Sequence, residues 1–187
     1  MRPVIRTFDR FLARAVGVYE FTQDPACVLR LQQATLRRPL AHSGIVVSQG
    51  SPVLMLHLWN TRVPPLPADG ADVAWAHRMT RALVYSLRLV STFILRQPPG
   101  RTPRAIGAIT VLGLASGTAD ILSRMGFLTR PYASPLGRFG EWWENAYTWS
   151  LMWAFNPASL RGKRLGWLRR REYWMSTSAF LQRFPSP

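Results

Sequence analysis

The sequence predicts an α+β fold in one compact domain, a small mixed sheet packed by one long helix and several short ones. Two stretches carry that expectation. Ser51–Asn60 is an almost unbroken apolar run and reads as a strand with both faces covered. Residues 73–96 repeat apolar side chains at helical spacing over a length no ordinary strand reaches. At 187 residues and 48% hydrophobic content, the chain is long enough to build one domain with its own core.

Residues 1–17 read as an N-terminal helix or lid, with Phe8, Phe11, Leu12 and Ala15 on one side and Arg6, Arg10 and Arg14 on the other. Between Val18 and Val47, short apolar runs are broken by turn signals at Asp24-Pro25, Arg38-Pro39 and Ser43-Gly44, as small antiparallel strands are. Val28–Leu36 and Ile45–Ser48 are expected to feed a sheet. In the following strand, Val53, Met55, His57 and Trp59 share one face, and Leu54, Leu56, Leu58 and Asn60 the other. Three prolines between Arg62 and Gly70 then forbid helix.

Asp72 is the expected N-cap of the long helix and Pro98-Pro99-Gly100 its stop. Trp75, Met79, Leu83, Leu87, Val90 and Ile94 form the stripe expected to pack on the sheet. Arg78, Arg81, Tyr85, Arg88 and Thr92 form the opposite stripe, either a solvated face or part of an anion-binding surface. Ala105–Leu112 reads as a second buried strand, followed by a glycine-containing turn over 113–117 and a helix from Thr118 to Met125, stopped by Gly126. That strand, turn and helix meet neither the Walker pattern nor the dinucleotide fingerprint, which favours a plain turn over a phosphate cradle. Glu172–Met175 is the expected last strand, with Ser176 capping a short helix through Phe184.

The net charge of +15, from 24 basic and 9 acidic residues, implies an anionic partner: membrane lipid, a glycan or phosphorylated ligand, or nucleic acid. Lys163 is the one lysine, and a GC-rich genome explains that bias without function. Cys27 is alone, so an intramolecular disulfide and a cysteine metal site are both excluded, which suits a reducing compartment. His42, His57 and His77 share no ligand spacing, and no metal or other cofactor is expected. The N-terminal residues lack the continuous apolar core of a secretory signal, and the best apolar stretch, Ala82–Leu95, is short and carries Arg88, so a cytoplasmic location is expected.

Two candidate sites follow. A histidine on a greasy strand needs a partner, since an unpaired buried polar group costs roughly 1–3 kcal/mol. His57 is therefore the candidate catalytic or structural group, with Asn60 beside it in a catalytic role, Arg62 and Thr110 as ligand-binding companions and Arg124 as an anion clamp. The second candidate is the segment 139–171, whose first part, 139–155, holds four of the eight tryptophans, Trp142, Trp143, Trp149 and Trp153. Trp167 and the basic residues Arg161, Lys163, Arg164, Arg169, Arg170 and Arg171 follow. Rings beside a basic cluster suit a membrane interface or stacking on single-stranded nucleic acid, and equally a core of tryptophans beside a solvated loop.

The chain resembles the YkoP-like domain family, small bacterial proteins that also occur appended to polysaccharide deacetylases. The resemblance rests on His57-Leu-Trp-Asn60 with Arg62 after it, on Ile106-Gly-Ala-Ile-Thr-Val-Leu running to Arg124-Met-Gly-Phe127, and on Tyr173-Trp-Met-Ser176 with Leu181 and Arg183-Phe184. It covers most of the length and matches 139–171 least. It implies a mixed α and β domain without an established catalytic signature, linked to envelope glycan or glycolipid work and to a protein partner there. The leading expectation is an accessory or ligand-binding domain, peripheral on the inner membrane face. The alternatives are an enzyme centred on His57 acting on an anionic substrate, and a nucleic-acid-binding protein, for which no recognition motif is present.

Overall fold

The strand over Pro52–Leu58 lies inside a six-stranded sheet, and the rest of the chain is layered on its two faces. The computed structural model describes residues 2–42, 45–70, 72–98, 100–110, 121–160, 168 and 170–186. Its strands are β1 (Val18–Tyr19), β2 (Leu29–Thr35), β3 (Leu40–His42), β4 (Ile45–Val47), β5 (Pro52–Leu58), β6 (Ala105–Thr110), β7 (Leu128–Pro131) and β8 (Arg171–Ser176). Its helices are α1 (Arg2–Ala15), α2 (Val73–Leu95), α3 (Ile121–Arg124), α4 (Gly137–Phe155) and α5 (Thr177–Arg183), with a 3-10 turn at Pro157–Leu160. The fold is mixed α+β in a single compact domain.

The strand order is β1-β2-β5-β6-β8-β7, antiparallel except where β5 meets β6. A parallel pair needs a crossover, and α2 supplies it. The expected strand at 45–48 pairs instead with β3 in a separate two-stranded sheet. The second buried strand ends its described course at Thr110, and the glycine turn at 113–117 lies outside the described residues.

Alternation along β5 sorts the core. Leu54 and Leu56 join Leu29, Leu31, Ile106, Ala108, Tyr173 and Met175 on the face covered by α2, α3 and α5. Helix α2 contributes Leu83, Leu87, Val90 and Ile94 to that core, the stripe its sequence announces, each worth about 1.5–3 kcal/mol of burial. Ser86, fully buried, ties helix to sheet: its Oγ accepts from Val28 N at 2.9 Å and donates to Ala82 O at 2.7 Å. The helix starts where expected, with Asp72 Oδ1 accepting from Trp75 N at 2.6 Å.

The other face carries Val53, Met55, Ala105 and Trp174 under Leu36, which follows β2, and under Leu40 and Val47 of the β3–β4 pair. Helices α1 and α4 cover its remaining, more polar part. Gly126, at φ +96°, ends α3: its N–H donates to Ser123 O at 2.9 Å and Phe127 N–H to Leu122 O at 3.0 Å, the paired bonds of a Schellman stop. Ser176 Oγ caps α5 by accepting from Ala179 N at 3.3 Å.

The N-terminal helix differs from its expected orientation. Phe11 is 67% exposed and Ala15 is exposed, whereas Asp9 is buried. An ion pair that needs burial, described next, takes the inward side of α1 in place of that ring.

Candidate functional site

His57 sits half-buried on β5, directly opposite Arg30 of β2 in the strand register. Its Nε2 lies 2.9 Å from Gln32 Oε1. The Gln32 amide orientation is set by its other end, because Nε2 donates to Val16 O at 2.7 Å and only the nitrogen can do so. Gln32 Oε1 therefore faces the ring, and His57 Nε2 carries the proton it donates. Burial first, and the Arg30 guanidinium second, push the His57 pKa down to about 4. At neutral pH the ring is uncharged, with a weakly basic Nδ1, a poor general base at that pH.

Arg30 is itself buried at 8% exposure and pairs with the buried Asp9 of α1, NH2 to Oδ2 at 3.4 Å. Tyr147 of α4 donates to the same carboxylate, Oη to Oδ1 at 2.8 Å, and its pKa is raised by burial and by that bond. One carboxylate thus ties α1, β2 and α4 together beneath the polar part of the sheet.

Beyond β5 the chain turns, and Arg62 folds back over Trp59 with its guanidinium carbon 3.4 Å from the ring centroid. Its NH1 donates to the backbone carbonyls of Asp24 and Cys27. Arg62 thereby anchors the 24–27 turn, which is what a cation stacked on an aromatic face does well. Asn60 is half-buried in the turn before it. Thr110, opposite Arg171 in register, shares the α2 face of β6 with Ile106 and Ala108. Arg124 is exposed on α3, whose Leu122 packs with Leu54 and Leu56. The sheet therefore stands between His57 and both Thr110 and Arg124. His57, Asn60 and Arg62 lie near one another in sequence at one end of β5, but His57 bonds Gln32 while Arg62 bonds the 24–27 turn, and Thr110 and Arg124 lie on the far face.

Two clefts, of about 600 and 390 Å3, lie elsewhere. The larger is lined by Gln33, Thr35, Phe93, Gln97 and Arg101 among others, the smaller by Met125, Met175 and Arg183 among others, and neither by His57. Among the described residues no group of three or more His, Cys, Asp or Glu side chains is arranged to hold a metal ion.

The aromatic segment is a helix. On α4, Phe139, Trp142, Trp143, Trp149 and Trp153 fall within one stripe at 100° per residue. Phe139 is 69% exposed, Trp142 57%, Trp143 49% and Trp153 37%, with Trp149 half-buried; Phe139 and Trp142 ring centroids lie 6.3 Å apart. Leu136, just ahead of the helix, is 69% exposed. Most of these rings are surface rather than core. Trp167 and the basic residues Arg161, Lys163, Arg164 and Arg169 lie outside the described residues.

Arg170 requires a correction, since it is not a surface cation. Its side chain is 13% exposed, pairs with Glu144 at 3.4 Å, and donates to Glu144 O and to Thr148 Oγ1. Tyr132 and Ser134 donate to the same carboxylate, each at 2.9 Å, and burial together with that bond pushes the Tyr132 pKa up to about 12. Arg171, one residue on, is exposed. Strand alternation turns neighbours to opposite faces, and only one of the two reaches α4.

A third cluster, absent from the sequence-based expectations, centres on Glu172. It is buried at 6% exposure and accepts from Arg38 at 2.8 Å, from Arg130 Nε at 2.7 Å and from Trp174 Nε1 at 3.0 Å. A carboxylate inside an otherwise apolar strand, Glu172-Tyr-Trp-Met175, was the available signal. Asp9, Glu144 and Glu172, three of the nine acidic residues, are thus spent in internal ion pairs. Arg30, Arg38, Arg130 and Arg170 are spent with them, so the positive excess of the remaining chain is nearly unchanged.

Fold and contacts together define a single α+β domain with a polar layer beneath one sheet face and exposed indoles on its outer helix. No family model matches the chain, and neither a curated protein nor a solved structure matches it.

Proposed function

We propose that the chain is an accessory domain that sits peripherally on the cytoplasmic face of the membrane through the exposed aromatic stripe of α4. The observation that carries this reading is the run Leu136, Phe139, Trp142 and Trp143, all exposed at one end of one helix in a chain of charge +15. Inserting Leu136 and Phe139 into the headgroup boundary gains about 1.5–3 kcal/mol each. The indoles suit that depth, where an amphipathic ring has one apolar and one wet side, and the excess arginines suit anionic lipid. No helix among the described residues is long and apolar enough to cross a membrane, which fits a surface-lying role. The resemblance to YkoP-like domains supports a place in envelope glycan or glycolipid metabolism.

Co-sedimentation with vesicles tests the proposal. Wild-type protein should pellet with phosphatidylserine-containing vesicles at low salt and keep a fraction bound at high salt, when the arginines are screened. The double variant Trp142→Ala/Trp143→Ala should lose that fraction and keep its fold. Absence of pelleting at low salt would sink the reading. Steep, log-linear salt dependence on single-stranded oligonucleotides, with indifference to vesicles, would replace it with nucleic-acid binding.

A further inference from the structure

On the outer side of α2, Arg78, Arg81, Tyr85, Arg88, Thr92 and Leu95 follow at alternating spacings of three and four residues. The row spans about 26 Å at 1.5 Å per residue. All six are exposed except Thr92, which is half-buried, and Leu95 is 61% exposed. Helix α2 contains no aspartate or glutamate. Among the described residues, Arg78, Arg81 and Arg88 have no hydrogen bond or ion pair from their side chains. A merely solvated helix face gains from mixing signs at three- and four-residue spacing, and like charges there cost stability. This face forgoes that gain.

We infer that the outer face of α2 is a docking surface for an acidic amphipathic helix of a partner protein. The three–four spacing presents a straight seam of the kind a second helix follows, with carboxylates opposite the three arginines and an apolar side chain opposite Leu95. Arginine's fork suits carboxylates at such a seam. Single-stranded nucleic acid fits less well. The row offers one ring, Tyr85, whose hydroxyl is held by Asp24 Oδ2 at 2.5 Å, too few for successive bases to stack on. Leu95, 61% exposed at the end of the row, has no use in such a complex and is what favours a helix with an apolar side chain. The seam also lies on the sheet face opposite α1 and α4, so the domain can hold this partner and a lipid surface together, and neither contact depends on the other.

The probe is a labelled synthetic helical peptide with glutamates at facing heptad positions and leucine at one end, titrated into the full chain by fluorescence anisotropy. Replacing Arg78, Arg81 and Arg88 with serine should weaken binding about tenfold, the sum of three exposed ion pairs. The charge-matched replacement of the exposed Arg37, Arg104 and Arg183 should change it less than twofold. Equal loss in both variants overturns the proposal, because net charge alone then explains binding. A second variant, Arg81→Glu with Arg88→Glu, should lose the glutamate peptide and gain one with lysines in its place; failure to switch also overturns it. So does a single-stranded oligonucleotide that binds more tightly than the peptide and is lost on the same serine replacements. Vesicle pelleting should be unchanged by the α2 replacements, which separates failure of this site from failure of the α4 surface.

Discussion

Trp174 of β8 lies over Gly107 of β6, its register partner, so closely that a Cβ at 107 would meet the ring at 2.5 Å. Gly107 is buried with an ordinary strand φ, so the requirement for glycine comes from the ring and not from the backbone. The same indole donates to Glu172, which fixes it in place.

Gly107→Ala is therefore expected to destabilise by about 1–3 kcal/mol, the usual effect of overpacking a core that cannot shift. Urea denaturation measures it. Pairing it with Trp174→Leu, which makes room for the methyl, should cost less than the sum of the two single changes. Simple additivity would show that the ring is free to move aside.

The His57 pKa of about 4 lies below its unfolded value near 6.5, so the unfolded chain binds more protons between those limits. Stability contributed by the neutral ring is complete above about pH 6.5 and is lost as pH falls toward 4, by an amount on the order of 2–3 kcal/mol. Melting curves from pH 7 to 4 should show that slope, and His57→Gln should flatten it. An unchanged slope in the variant would show that the His57 ring is not its source.

Arg170 and Arg171 are adjacent in sequence and differ in consequence. Arg170→Ser leaves Glu144 half-buried without its cation and should cost about 2 kcal/mol or more. Arg171→Ser, at an exposed position, should stay within about 0.5 kcal/mol. Thermal unfolding of the two variants decides it, and equal melting temperatures would refute the buried ion pair.

Local pattern was enough to place β5, the two stripes and both ends of α2, the Gly126 stop of α3 and the capped α5. In each case, the information lies within one turn or one strand: a side-chain period, a capping carboxylate or hydroxyl, or a glycine free to take positive φ. Composition left open whether the 139–155 rings are surface or core, and their exposure and alignment required knowing how that helix packs.

What the tertiary structure alone decided is which charges are spent and which side chains share a face. Asp9, Glu144 and Glu172 meet their arginines across 21, 26 and 134 residues of sequence, the last with Arg38, and no local rule foresees a partner that distant. Burial of Asp9 turned Phe11 outward, because an inward carboxylate with Arg30 and Tyr147 takes the place that hydrophobic patterning would give the ring. His57 and Arg124 are separated for a related reason. Side-chain direction alternates along a strand, and a helix can cover either face, so only the packed sheet determines which residues meet.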